Sequence, residues 1–414
     1  MKRNRWGIAA AAVGIHICIG SVYAWSVLVK PVMEYTGASL QAVQWTFSIA
    51  IFFLGISAAF FGSFVERCGP SISGLVSTAC FTFGMFGAAL AVYADAIWLL
   101  YLSYGCIGGI GLGIGYITPV ATLIKWFPNH RGFATGLAIM GFGFAGLIAG
   151  PVMQFLYTRY GLTETFLVTG LAYCIVMCLS ALYLKAPPAG DEFVRLAVDT
   201  TDTRIAPPDT RKQFTAGEAI RTSQFYALWW MLFVNITCGI GLLSVASPMA
   251  QEIIGMTPAE AAAIVGIIGL VNGAGRLLWA SVSDRIGRAN TYLIFFVLQI
   301  GAFICLAQTN DRLIFQAAVL LIISCYGGGF AAMPAYLSDL FGTKELSNIH
   351  GKVLTAWAAA GIVGPLFISI LRERTAGYEI TLYAFAALFV TALLVTLYST
   401  YRLTASPTPD PNRQ

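Results

Sequence analysis

The chain has 414 residues, 58% of them hydrophobic and 10% charged, with a formal net charge of +5. Soluble domains carry nearer a quarter charged residues, so this excess of apolar side chain requires lipid as its solvent. The basic residues are dispersed, with no basic stripe interleaved with aromatics, which argues against a nucleic-acid surface. Crossing a bilayer takes about 20 apolar residues in a helix. Twelve such stretches follow in order, at 7–29, 43–64, 73–93, 97–124, 131–153, 164–186, 223–250, 259–281, 290–308, 312–336, 349–371 and 379–401. The opening MKRNRW and its apolar run superficially resemble a signal peptide. The run is too long and no small-residue cleavage site follows, so it reads as the first span.

Residues 187–222 break the pattern: 11 of these 36 residues are charged, against 32 of the other 378. With Pro187-Pro188 and Pro207-Pro208 they read as a solvated linker. Thr215 and Glu218 have the spacing of a capping box, which predicts a short helix near the linker's end. The expected fold class is an all-α membrane protein. A six-helix bundle at 1–186 and a second at 223–401 flank the linker, and 402–414 form a tail. Lys and Arg bias sets orientation. With the N-terminus inside, the outer side holds five of the 24, namely Lys30, Arg159, Arg312, Arg372 and Arg374, and the cytoplasmic side eighteen. Both termini are therefore expected in the cytoplasm. The remaining cation, Arg276, lies inside the eighth span.

The halves repeat. GSFVERCGP (Gly62–Pro70) follows the second span and ASVSDRIGR (Ala280–Arg288) the eighth, with Glu66-Arg67 and Asp284-Arg285 in register at an offset of 218. Pro119 of YITPVATLIKWF matches Pro334 of AAMPAYLSDLF. A six-plus-six parallel repeat suits two halves rocking about a central site.

Other chemistries find little support. Eight of the nine cysteines lie in apolar stretches and no C-x-x-C occurs; Cys174 and Cys178 share a helix face and read as packing. His130 and His350 are assigned to cytoplasmic loops, so no metal cluster is expected. No G-x-x-x-x-G-K-[ST] loop and no nucleophile–base constellation appear. Neither an enzyme nor a nucleotide-driven pump is expected, and no cofactor.

The short loops resemble the G-x-x-x-D-R-x-G-R signature of the major facilitator superfamily. The copy with Asp284, Arg285, Gly287 and Arg288 matches well; the first has Glu66 for Asp and Pro70 for Arg. A carboxylate and an arginine at such helix ends can pair across helices, which makes Glu66, Arg67, Asp284 and Arg285 a candidate conformational latch. WFPNHRGFATGLAIMGFG (Trp126–Gly143), GEAIRTSQFYALWW (Gly217–Trp230) and NGAGRLLWASVSDRIGR (Asn272–Arg288) look like the oxalate/formate antiporter family, near the monocarboxylate transporters. That resemblance spans nearly the whole chain and implies transport of small carboxylates.

Arg276 is the residue on which the site is built. A charge inside a span costs about 2.5 to more than 10 kcal/mol, and none of the 19 acidic residues lies deep in a predicted span. A guanidinium holds a carboxylate through two parallel hydrogen bonds, so the simplest partner is a substrate anion; the bland alternative is an arginine snorkelling to the surface. The resemblance also implies a substrate-binding arginine here. Asn272, one turn earlier on the same face, is expected to bond the anion or orient Arg276. Animal-type monocarboxylate transporters carry Asp where Asn272 stands and Lys where Val27 stands, so their proton relay is in doubt here. Tyr116 and Tyr326, each beside glycines in its span, offer uncharged hydroxyls. Trp357 stands where oxalate-exchanging relatives carry a Lys. One cation and an aromatic wall suit one carboxylate, because a second would go unpaired in low dielectric. Leu28 and Tyr23 are expected to line the cavity. His16, mid-span, is read mainly as a hydrogen-bonded structural residue, with a proton relay as the sharper alternative.

The expectation is a transporter in the cytoplasmic (inner) membrane of a bacterium, working as a monomer. Its partners are a small monocarboxylate anion, a proton and the lipid bilayer. L-lactate is the first candidate and pyruvate the second. An oxalate/formate-type exchanger is the alternative. A carboxylate-sensing receptor ranks low.

Overall fold

The computed structural model describes residues 4–38, 40–188, 213–375 and 377–405. Among them every regular element is helical. Helix α1 (Arg5–Gly20) passes through a tight 3₁₀ turn, Ser21–Ala24, into α2 (Trp25–Thr36). Helix α3 runs Leu40–Tyr93; α4 (Ile97–Leu100) leads through a wide π-type turn, Tyr101–Gly108, into α5 (Gly109–Trp126). Helices α6 (Arg131–Tyr160) and α7 (Leu162–Tyr183) complete the N-terminal half. The C-terminal half holds the short α8 (Ala216–Ala219), then α9 (Ser223–Ile254), α10 (Pro258–Ile286), α11 (Arg288–Gln308) and α12 (Arg312–Phe341). It ends with α13 (Leu346–Val353), α14 (Thr355–Thr375) and α15 (Glu379–Ala405). Helix α8 begins where Thr215 and Glu218 close their reciprocal capping box. The remainder of the charged linker, 189–212, lies outside the described residues, as does the tail from 406.

Ten helical stretches among the described residues are long and apolar enough to cross a membrane. One of them, Trp45–Tyr93, has 49 residues, more than twice what a bilayer needs. It bends at Gly69, whose φ of 78° and ψ of 172° lie outside the helical region. Only glycine adopts that conformation without strain, and Pro70 then starts the next segment at a position where its missing N–H costs nothing. Helix α10, which carries Arg276 about two-thirds of the way along, is 29 residues long. Large apolar side chains such as Phe60, Phe83, Leu179 and Leu394 project outward and are more than half exposed, as lipid-facing positions require.

The internal repeat extends to backbone geometry. Gly287, 218 residues after Gly69, has φ 86° and ψ 152°. Gly37 and Gly255, at the same interval, both end a helix in the left-handed region, with φ 61° and 65°. The offset seen in the charged loops therefore also governs where each half turns.

Glycine sets how closely the halves approach. Where α3 meets α13, a Cβ on Gly351 would fall on the carbonyl of Ala58, and one on Gly62 would fall on the backbone of Asn348. Where α6 meets α10, a Cβ on Gly136 would sit 2.8 Å from the Arg276 carbonyl and one on Gly143 2.6 Å from Gly273 Cα. Overpacking such a contact costs about 1–3 kcal/mol. Gly351→Val is therefore expected to lower the melting temperature of the purified protein by several degrees. Gly301→Val, where a side chain meets nothing within 4 Å, should leave it unchanged. Equal melting of the two variants would contradict the close approach.

Candidate functional site

Arg276 is fully buried, projecting from α10 between α6 and α12. Its position depends on three neighbours that lack side chains. A Cβ on Gly143 would sit 3.3 Å from Arg276 Cδ, one on Gly327 3.2 Å from its Cγ, and one on Gly136 against its carbonyl. The Nε atom donates to Asn272 Oδ1 at 3.2 Å, one turn back on the same helix. Among the described residues the two terminal nitrogens, Nη1 and Nη2, have no hydrogen-bond partner. Phe330 and Phe142 flank the guanidinium, with ring centroids 5.1 and 5.6 Å from Cζ. Cation–π attraction of this kind supplies about 0.5–2 kcal/mol, less than the hydrogen bonding that two desolvated NH2 groups forgo. The cage presents a cation with its donors unspent.

Tyr326 and Tyr23, from opposite halves, bring their hydroxyls to 3.3 Å. Tyr116 lies edge-on to Trp357 at 5.2 Å, and Trp357 packs against Phe330 at 4.6 Å and Phe142 at 5.7 Å, so it shares both walls with Arg276. The Tyr116 hydroxyl and Trp357 Nε1 are buried without partners. Arg276, Asn272, Tyr116, Trp357, Tyr326 and Tyr23 thus form one constellation. Leu28 is buried in α2, and the ring and polar contacts around Arg276 do not include it. Phe142 and Phe330 were missed in the sequence. Phe330 stands one helical turn after Tyr326 and so shares its face, a signal that was available; Phe142 lay unremarked in the stretch GLAIMGFG.

His16 bonds through Nδ1 to the Ala12 carbonyl at 3.1 Å, and its ring packs edge-on to Tyr116 at 5.4 Å. His350 corrects the sequence reading. It sits in helix α13 rather than in a solvated loop, is 2% exposed, and its ring lies 5.9 Å from Tyr116. The reason is that α13 is drawn against the N-terminal half by its own N-terminus, as described next. Among the described residues no group of His, Cys, Asp or Glu side chains could hold a metal ion.

The loop carboxylates cross between halves. Glu66 accepts from the Ser347 backbone N–H at 2.9 Å, in the first turn of α13, and pairs with Lys125 at 2.8 Å. Asp284 accepts from the N–H groups of Gly132 and Phe133 at 2.9 and 2.8 Å, in the first turn of α6. Helix N-termini leave such donors free and carry partial positive charge. Ser347 stands 215 residues after Gly132, the interval that separates Pro334 from Pro119. Each half therefore caps the corresponding helix of the other. The cations are not the predicted ones. Arg288 pairs with Asp284 at 2.5 Å and Asp339 at 3.0 Å, whereas Arg67 and Arg285 are exposed. Neighbouring helix residues point about 100° apart, so an arginine directly after its carboxylate cannot face the same partner.

On this latch face the halves touch backbone to backbone. Further along α10 there is room beside the helix: a Cβ on Gly266 or Gly269 would meet nothing within 4 Å. The Tyr23–Tyr326 hydroxyl pair spans the halves at the level of the cage.

The chain matches the family model described as Major Facilitator Superfamily over residues 10–365 and again over 236–414. It is 32% identical over 370 residues to the oxalate:formate antiporter of Oxalobacter formigenes, covering 87% of this chain and 83% of that one. It is 23% identical to monocarboxylate transporter 14 of Mus musculus, covering 95% and 89%. The crystal structure of the human organic anion transporter MFSD10 superimposes with a TM-score of 0.73 at 14% identity, covering 95% of this chain and all of that one.

Removing either latch charge should loosen one face only. With all native cysteines replaced and Ser347→Cys as the sole thiol, Glu66→Gln or Asp284→Asn is expected to raise the thiol's labelling rate several-fold, from the low rate that its 1% exposure implies. Unchanged labelling in both would show that the carboxylates do not hold this face closed.

Proposed function

The chain belongs to the major facilitator superfamily, in the branch of the oxalate:formate antiporter, and we propose that this secondary transporter carries a small monocarboxylate with a proton by alternating access. The observation that supports this reading is the buried Arg276 guanidinium, which among the described residues has two terminal nitrogens unpartnered and no carboxylate in its cage. A buried unpaired cation is costly. A carboxylate accepting both N–H groups relieves that cost and supplies charge-assisted, directional binding. Tyr116 and Trp357 add two neutral donors at the cage wall. With one cation in the cage, the second carboxylate of a dicarboxylate would have neutral donors alone for company, which favours a monocarboxylate with a short apolar body. L-lactate is the first candidate and pyruvate the second.

The chain is taken to cross the bacterial cytoplasmic membrane twelve times, because the 49-residue stretch bent at Gly69 counts as two crossings and α10 as another. The excess of Lys and Arg places the latch face in the cytoplasm. In that orientation the structure is closed to the cytoplasm, and an anion reaches Arg276 from outside once the Tyr23–Tyr326 contact parts. Binding neutralises the cage, so the halves can close over the ligand. The Glu66 and Asp284 caps then release, and the cytoplasmic face opens.

Energetics favour coupling to a proton over moving the bare anion. Moving one charge through 100 mV involves about 2.3 kcal/mol, and an anion carried with one proton moves no net charge. Exchange of carboxylates is the second reading, favoured by the 32% identity to an antiporter. Exchange requires counter-substrate inside; symport does not.

Proteoliposome uptake of labelled L-lactate tests both readings. An inward proton gradient is expected to accelerate uptake into empty vesicles. Uptake that ignores the gradient and requires internal carboxylate would establish exchange instead. Arg276→Lys keeps the charge but loses the two-pronged geometry. Hydrogen bonds to charged groups contribute about 1.5–3 kcal/mol, so KM should rise roughly 10- to 100-fold. Retained affinity would remove Arg276 from the site.

A further inference from the structure

We propose that Asn235 and Gln299 form a positioning clamp that fixes α12 at Tyr326 and, through it, the geometry of the Arg276 cage. This rests on that cage being the substrate site. Helix α12 is locally weak there. Gly327, Gly328 and Gly329 follow Tyr326 directly, and glycine destabilises a helix interior. Pro334 has no N–H to give the Phe330 carbonyl four residues before it. Such a segment takes its shape from what holds it.

It is held from behind by α9 and α11. Asn235 Nδ2 donates to the Tyr326 carbonyl at 3.1 Å, and Gln299 Nε2 donates to Asn235 Oδ1 at 3.1 Å. Both amides are fully buried. The Tyr292 hydroxyl donates to the Gly329 carbonyl in the next turn. The glycines make the segment a thin partition. A Cβ on Gly329 would lie 2.5 Å from Asn235 Nδ2, and one on Gly327 2.5 Å from the Asn272 carbonyl. The clamp meets Gly329 and the Asn272–Arg276 turn meets Gly327, two residues apart on one segment, so a shift of α12 moves both Tyr326 and the wall against Arg276.

The rest of the fold does not require this pair. The 218-residue offset that relates the halves places Ile17 and Phe81 at the corresponding positions, and both are apolar. The amide chain belongs to the half that carries the cation.

The test separates position from stability. Asn235→Leu leaves the Gln299 amide buried and unpaired, so it should lower the melting temperature and raise KM for the transported carboxylate at least fivefold. Asn235→Leu with Gln299→Leu removes both partners, which is far less disruptive. Melting should recover while KM stays raised. Amide hydrogen exchange of Tyr326–Phe330, measured without substrate in wild type and double variant, should quicken at least tenfold in the double variant. KM returning to the wild-type value together with melting would overturn the proposal, as would unchanged exchange. If wild type moves no carboxylate, the transport reading fails, and the exchange measurement alone decides whether the clamp holds α12.

Discussion

A guanidinium sealed in an apolar bundle with two of its nitrogens unbonded is the constraint around which the rest is arranged. Lipid cannot solvate it, and among the described residues no acidic side chain meets it. What the protein supplies is partial: one bond from Nε to Asn272, the nearby Tyr23 hydroxyl and two aromatic faces. These hold the group in one orientation without satisfying it. The glycines at 136, 143 and 327 belong to the same arrangement, since larger residues would displace the arginine or its helix. On the proposed reading, affinity for an anion would come from hydrogen bonds left unmade in its absence.

The two halves share a scaffold but divide the work. Turns at Gly37 and Gly255, bends at Gly69 and Gly287, and carboxylates at Glu66 and Asp284 recur at one interval. Everything recurrent concerns how helices end and how the halves meet. What does not recur is chemistry. The position equivalent to Arg276 is Ala58, and its carbonyl is the surface on which Gly351 packs. The N-terminal half contributes Tyr23, Tyr116 and Phe142, a neutral wall for the charge.

The helices were legible because lipid imposes a single rule, and runs of apolar residues between charged turns state it directly; the Leu40–Tyr93 helix with its glycine bend is what two adjacent runs look like in space. Arg276 was legible for the converse reason, as a charge where the rule forbids one. Tyr116, Tyr326 and Trp357 could be chosen by their place beside glycines or by resemblance. Phe142 and Phe330 could not, because phenylalanine is expected throughout an apolar helix and nothing local marks the two that touch the cation. His350 was misplaced for a related reason: a polar residue near a loop reads as solvated unless one knows that Glu66, far away in sequence, draws its helix inward. The carboxylates of the latch were found from the repeat, while their cations, Lys125 and Arg288, depend on which way each side chain leaves its helix.

Beside its carboxylate caps, the latch face is sealed by backbone against backbone. A gate built from side chains flickers, because rotamers exchange in picoseconds to nanoseconds. Where α3 meets α13 and α6 meets α10 there is no room for a Cβ, so there is nothing to rotate aside. Water and protons find a path through such a wall only when whole helices move. Leak is then tied to the same slow rigid-body step that moves cargo, and tightness of coupling becomes a property of glycine placement as much as of any titrating group.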